Sequence, residues 1–139
     1  AIPAYHREGA IGLRIHSSQG RKIAYAGDTG PFEGQEEDLR DLDLLVIEAS
    51  FLNTVVETHM TVEQAAQLAG VAQPKALAPV HFYPEVEKCS DEEIRIMISQ
   101  SYKGDVFPAH DGRRLLWDAS SSMWKESDFL RHIVNRREA

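Results

Sequence analysis

The feature that most constrains this chain is a short, uninterrupted apolar run at residues 44–47, Leu-Leu-Val-Ile. A run of this length between acidic residues is typical of a β-strand that is buried on both faces. Such strands occur where helices or a second sheet cover both sides of a sheet. The run therefore predicts a layered protein with this strand at its centre.

Strand and helix patterns alternate on either side of this run. Capping boxes, formed by Thr61 with Gln64 and by Ser90 with Glu93, predict the starts of two helices. The predicted strands are residues 11–16, 21–26, 44–47, 75–81, 105–107 and 114–117. The predicted helices are residues 33–39, those that follow Thr61 and Ser90, and one or two over residues 120–137. This order predicts the mixed α/β class, with helices covering a sheet.

Composition restricts the partners and the compartment. The chain has 139 residues, enough for one domain or part of one, and a formal charge of −7. This acidity argues against non-specific nucleic-acid binding over the whole surface. No apolar run approaches the roughly 20 residues that a membrane helix needs, so no membrane association is expected. The single cysteine, Cys89, favours a reducing compartment, and the expected location is the cytoplasm.

The polar residues best placed for chemistry lie at the ends of predicted strands. Asp28 and Glu48 follow strands directly, and His81 ends the strand at residues 75–81. His59 lies just before the helix that Thr61 opens. Side chains at the carboxyl ends of strands converge on one edge, where α/β proteins place their sites. Carboxylates and imidazoles that meet there form a metal site or an acid–base pair.

Each candidate also has a structural interpretation. Asp28 lies in a Gly-Asp-Thr-Gly stretch, which also suits a plain turn. His59 could be an exposed loop residue, and His81 could be a hydrogen-bonded core histidine. Glu48 could cap the backbone or pair with an arginine. The other histidines have no supporting pattern and are interpreted as structural or surface residues: His6, His16, His110 and His132.

Four short motifs follow one another along the chain, and their order is informative. They are Gly27-Asp28-Thr29, Glu48-Ala49-Ser50-Phe51, His59-Met60-Thr61 and Ala78-Pro79-Val80-His81. Together they resemble the second half of the metallo-β-lactamase superfamily, in the branch of ribonuclease Z and related phosphodiesterases. The resemblance covers about residues 1–117, and residues 118–139 are predicted to be a helical extension. The implied fold is half of an αββα sandwich, with a mixed sheet covered by helices on one face.

The resemblance implies a metal-dependent hydrolase. Two divalent ions, zinc or alternatively manganese or iron, would activate a bridging hydroxide that attacks a phosphodiester. Small cyclic or nucleotide phosphodiesters are the expected substrates, and RNA is an alternative that the net acidity mildly disfavours when the RNA is large. The alternatives are a thioesterase or glyoxalase-type member of the same superfamily, and a non-catalytic assembly or binding module.

The resemblance also assigns roles to individual residues. Asp28 matches the aspartate that bridges two metal ions, and His81 matches the last ligand histidine. His59 matches the histidine that contacts the scissile phosphate and protonates the leaving group. Glu48 matches a glutamate that orients a ligand or His59. Gly27, which leaves room beside the ions, and Thr29 are expected to support Asp28.

The main signature of the family, His-x-His-x-Asp-His, and one further ligand histidine do not occur in these residues. We therefore expect this chain to be the second half of a longer domain, binding metal weakly and catalysing poorly alone. A half-sandwich would also leave one apolar sheet face uncovered, which predicts pairing with the missing half, dimerisation through the sheet, or aggregation. Three helices on one side cannot cover all of the apolar strand residues, which are Leu13, Ile15, Ile23, Tyr25, Leu44, Val46, Leu77 and Val80.

Overall fold

The computed structural model describes residues 1–128, and a mixed β-sheet forms the centre of residues 1–108. Within that range the sheet has six strands in the order β1-β2-β3-β4-β5-β6. They are β1 Ile2–Pro3, β2 Ile11–His16, β3 Lys22–Tyr25, β4 Leu44–Glu48, β5 Ala76–Val80 and β6 Asp105–Val106. The first three strands pair antiparallel, and β3 to β6 pair parallel. The predicted apolar strand, β4, therefore lies inside the sheet, and the predicted mixed α/β class is confirmed.

Four helices accompany this sheet within residues 1–128. They are α1 Gln35–Asp38, α2 Val62–Ala72, α3 Pro84–Glu87 and α4 Asp91–Ile98. Both predicted capping boxes are present, at Thr61 with Gln64 and at Ser90 with Glu93. In this part of the chain, no helix is long and apolar enough to cross a membrane.

The helices cover one face of the sheet. Leu45 and Leu77, which lie opposite each other in β4 and β5, are fully buried there in one apolar core with α2. Leu77 is thus one of the apolar strand residues that the helices do cover, together with its neighbour in register, Leu45. Leu44 is also buried, with 5% of its surface exposed.

The opposite face of the sheet carries exposed apolar side chains. Leu13 and Tyr25 lie opposite each other in β2 and β3, and remain 46% and 45% exposed. Ile11 and Ile15 extend the same row, with exposures of 58% and 49%. The prediction of an uncovered apolar face is confirmed for Leu13, Ile15 and Tyr25.

The chain divides after Pro108: residues 1–108 form one compact unit, and a second unit begins at Ala109. In the second unit, β7 Arg113–Asp118 pairs antiparallel with β8 Met123–Asp128. The predicted helix is thus wrong for Met123–Asp128, because cross-strand pairing forms a hairpin there. The rest of the predicted helical extension, residues 129–139, lies outside the described residues.

A pair of tryptophans stabilises this hairpin. Trp117 and Trp124 lie directly opposite each other, and their rings meet edge to face at a centroid distance of 5.4 Å. The two rings thus pack against each other within the hairpin. In the turn, Asp118 accepts hydrogen bonds from Ser120 and Ser121 and pairs with Lys125. Lys125 and the two serines hold the pKa of the Asp118 carboxyl well below its ordinary value.

Candidate active site

The candidate site lies at the carboxyl ends of β3, β4 and β5. These strands are parallel neighbours, so the residues that end them meet at one edge of the sheet. Asp28 follows β3, Glu48 ends β4 and His81 follows β5. His59, in the loop before α2, reaches the same edge. The structure thus brings together the candidate residues that strand-end positions single out.

Glu48 is the centre of the hydrogen-bond network at this edge, and it is fully buried. Its Oε1 accepts from the backbone N–H of Thr29 at 2.6 Å, and its Oε2 accepts from Ser50 Oγ at 2.5 Å. The backbone N–H of Met60 also reaches Oε2, at 3.2 Å. His59 Nδ1 lies 3.0 Å from both oxygens. Since a carboxylate has about four lone-pair sites, these donors use the acceptor capacity of Glu48.

His59 is held by one ring nitrogen and is not an exposed loop residue. Its side chain is 12% exposed, and Nδ1 donates to the Glu48 carboxylate. A neutral imidazole that donates through Nδ1 carries its lone pair on Nε2. Glu48 thereby fixes the tautomer of His59 and leaves Nε2 for contacts outside this pair.

His81 and Asp28 face each other across the edge. His81 Nδ1 lies 3.5 Å from Asp28 Oδ1, and the side chains are 38% and 39% exposed. His81 is therefore not a core histidine, and Asp28 has an imidazole neighbour that a plain turn does not require. His81 also has a φ of 59°, a left-handed conformation that is uncommon for a residue with a side chain. Such backbone strain persists where the surrounding structure holds it, and it clusters at functional sites.

Ser50 links the two histidines through Glu48. Its hydroxyl has one hydrogen, which it donates to Glu48 Oε2. The Ser50 oxygen then accepts from His81 Nδ1, 3.0 Å away. Both imidazoles are thus tied to the same carboxylate through Nδ1, His59 directly and His81 by way of a serine.

The turn that carries Asp28 is anchored on both sides of the aspartate. Gly27 has a φ of 70°, which favours glycine, while a Cβ placed on it would approach no closer than 3.5 Å to Ile11 O. Among the described residues, glycine is therefore favoured at position 27 by its backbone conformation and not by a lack of space for a Cβ. Thr29 is fully buried, and its Oγ1 accepts from the backbone N–H of Tyr5 at 2.9 Å. These anchors fix where Asp28 leaves the strand.

The donor atoms at this edge suit a divalent cation. Glu48, His59 and His81 each offer a ligand atom, and these atoms lie within 4.8 Å of one another. The acceptor capacity of Glu48 is already used by N–H and O–H donors, and His59 is one of these donors. Asp28 and His81 are therefore the pair better placed to hold a metal. Carboxylate oxygen and imidazole nitrogen are the donors that zinc, manganese and iron accept in proteins.

The structure adds residues that the sequence analysis did not single out. Ser50 lies two residues after Glu48 in the motif Glu48-Ala49-Ser50-Phe51, and this proximity is the one feature of the sequence that points to a role at the site. His6 and Tyr83 have ring centroids 4.8 Å and 6.2 Å from that of His59, although His6 is predicted to be structural or on the surface. Phe51 is a further aromatic neighbour, with its ring centroid 6.0 Å from that of His59.

Sequence comparison decides the family. The family model of the beta-lactamase superfamily domain matches residues 1–82. The chain belongs to this superfamily. Among curated relatives, ribonuclease Z of Halobacterium salinarum is 34% identical over 99 residues, which cover 67% of this chain and 31% of that protein. Ribonuclease Z 1 of Schizosaccharomyces pombe is 33% identical over 98 residues, covering 67% and 12%.

Solved structures of the superfamily share the fold. The metallo-beta-lactamase fold protein YhfI from Bacillus subtilis superposes with a TM-score of 0.67 and 18% identity, covering 89% of this chain and 47% of that one. A long form RNase Z from yeast gives a TM-score of 0.59 and 20% identity, with coverages of 96% and 18%. The predicted fold, superfamily and ribonuclease Z-like branch are confirmed, and so is the prediction of a hydrolase family. The chain spans less than half the length of each of these proteins.

Proposed function

We propose that the natural protein is a metal-dependent hydrolase that cleaves phosphodiesters at the edge formed by Asp28, Glu48, His59 and His81. The observation that carries this proposal is the hydrogen bond that His59 Nδ1 donates to the buried Glu48 carboxylate. An imidazole fixed in this way presents Nε2 as its reacting atom. The curated relatives named above are ribonucleases, and RNA is a phosphodiester.

Asp28 and His81 are the residues of this chain that would hold metal. Two cations are proposed, zinc first and manganese or iron as alternatives. When bound, such cations supply Lewis acidity toward a phosphoryl oxygen. Because this pair offers few ligands, we propose that a preceding segment of the natural protein, with the His-x-His-x-Asp-His pattern, completes the coordination. Residues 1–139 alone would then be inactive.

The proposed role of His59 is that of a general acid. Its Nε2 would carry a proton to the leaving oxygen of the phosphodiester, while Glu48 keeps the other ring proton on Nδ1. The carboxylate would also stabilise the imidazolium form that exists before the transfer. General acid catalysis of this kind contributes about 10²–10⁴-fold to the rate.

The test uses the complete natural protein, with its metal content measured by elemental analysis. It should hydrolyse bis(p-nitrophenyl) phosphate, lose this activity to a chelator, and leave an acyl thioester untouched. His59→Ala should retain the metal and cleave the dinucleotide TpT, whose alcohol leaving group needs a proton, about 10²–10⁴-fold more slowly, with a much smaller effect on release of nitrophenolate. His16→Ala, which removes an exposed histidine at the end of β2, should change neither quantity. Thioester hydrolysis without diester hydrolysis, or loss of metal from His59→Ala, would contradict the proposal.

A further inference from the structure

We infer that His6 is a positioning residue for His59, an inference that rests on the function proposed above. The two rings meet edge to face, with centroids 4.8 Å apart and an interplanar angle of 66°. The next ring, that of His81, has its centroid 5.6 Å from that of His59, and Phe51 follows at 6.0 Å. His6 therefore makes the closest of these ring contacts with the proposed general acid.

His6 is itself held in place by the loop that carries His59. Its Nδ1 lies 3.2 Å from the backbone oxygen of Thr58, so this nitrogen donates to that carbonyl. The donor fixes the tautomer of His6 and ties its ring to the residue just before His59. A phenylalanine could reproduce the ring contact, but it could not make this hydrogen bond.

The segment that carries His6 bridges two parts of the site. Tyr5 accepts through its backbone oxygen from Gly30 N–H at 2.7 Å, and its hydroxyl donates to Glu57 Oε1 at 2.6 Å. The two loops approach so closely that a Cβ on Gly30 would lie 1.8 Å from Glu57 O. The chain around His6 thus joins the turn that follows Asp28 to the loop that carries His59.

This arrangement supplies a restraint that Glu48 cannot provide alone. The bond from Nδ1 to Glu48 fixes one point of the His59 ring but leaves the ring free to tilt about it. Contact with His6 limits that tilt and so fixes the direction of Nε2. Proton transfer depends steeply on such alignment, because a small displacement of a catalytic group lowers the rate substantially.

The test compares substrates with different leaving groups in the complete natural protein loaded with metal. Thymidine 5′-(p-nitrophenyl) phosphate releases a stabilised phenolate, whereas the dinucleotide TpT releases an alcohol that needs a proton. His6→Ala should slow TpT cleavage about tenfold, mainly in kcat, and slow release of nitrophenolate much less. In a His59→Ala background, His6→Ala should have no further effect, since the two residues act together.

Two substitutions separate the parts of the contact. His6→Phe keeps a ring beside His59, and His6→Asn keeps an N–H donor for Thr58 O. We expect each to recover part of the loss in His6→Ala, and they preserve the test if the alanine variant folds poorly. The inference is overturned if His6→Ala slows both substrates equally, has no effect, or slows the enzyme as much without His59 as with it. If His59→Ala cleaves TpT at the unaltered rate, the proposed function itself has failed.

Discussion

His59 Nδ1 lies 3.0 Å from each oxygen of Glu48, a carboxylate with no exposed surface. The pairing makes the direction of the imidazole depend on a residue that substrate cannot reach. Glu48 also receives Ser50 and, through it, His81. One buried carboxylate therefore sets the orientation of both histidines, and its replacement should affect catalysis more than metal binding.

Replacing Glu48 by glutamine tests this dependence. The glutamine amide keeps the size of the side chain but has only one acceptor oxygen, whereas the carboxylate has two oxygens for the same donors. We expect kcat for a phosphodiester to fall about 10–100-fold, the usual range for a residue that orients a reacting group, with metal content retained. Glu37→Gln, on the exposed side of α1, is the matched control and should leave kcat unchanged. An unaltered rate in Glu48→Gln would show that the carboxylate is dispensable.

Removing the Asp28 carboxylate tests the proposed metal ligands. Asp28 Oδ1 lies 3.5 Å from His81 Nδ1, nearer than Glu48 Oε2 at 4.0 Å, and Asp28→Ala removes this neighbouring carboxylate. We expect the metal content of the purified natural protein to fall and phosphodiester hydrolysis to be lost. Asp38→Ala, which removes an exposed carboxylate from the end of α1, should retain both. Full metal content in Asp28→Ala would exclude Asp28 from the coordination sphere.

Local signals explain why much of this architecture could be predicted from the sequence. A capping box needs residues three positions apart, so the starts of α2 and α4 at Thr61 and Ser90 are visible without tertiary structure. The strand-end positions of Asp28 and Glu48 follow from the apolar runs that precede them. Parallel pairing of neighbouring strands then brings these ends together.

Distant contacts explain what the sequence did not predict. His6 contacts a loop 52 positions away, and nothing around it indicates that approach. Met123 falls within the range 120–137 that the sequence predicts to be helical, whereas its strand depends on pairing with residues 113–118. Strand formation is decided by such cross-strand partners more than by local preference.

Asp43 should contribute stability that depends on pH. Burial favours a raised pKa for this carboxyl, but hydrogen bonds from the Lys75 ammonium and the backbone N–H of Lys22 outweigh it and lower the pKa. Because the pKa is lower in the folded state, the stabilisation is present above the unfolded value of about 3.9 and is lost as pH falls through the folded value. We expect Asp43→Asn to destabilise the protein by about 1–3 kcal/mol at pH 7. Urea unfolding should show this difference shrinking in acid, and a constant difference would contradict the assignment.

The exposed row on the sheet gives a prediction about the natural protein. Leu13 and Val55 are 46% and 74% exposed in this chain, so exposure alone would make aspartate tolerable at both positions. Leu13, however, lies beside Tyr25 in a continuous apolar face, whereas Val55 lies in a loop. If a further layer covers that face in the natural protein, Leu13→Asp buries a charge without a partner.

We therefore expect Leu13→Asp to lower the free energy of unfolding of the natural protein by about 3 kcal/mol or more. Val55→Asp should stay within about 0.5 kcal/mol, the usual range for a surface substitution. Denaturant unfolding of both variants beside the unaltered protein measures the difference. Equal, small effects would mean that the row stays in solvent, because an aspartate there would keep its hydration.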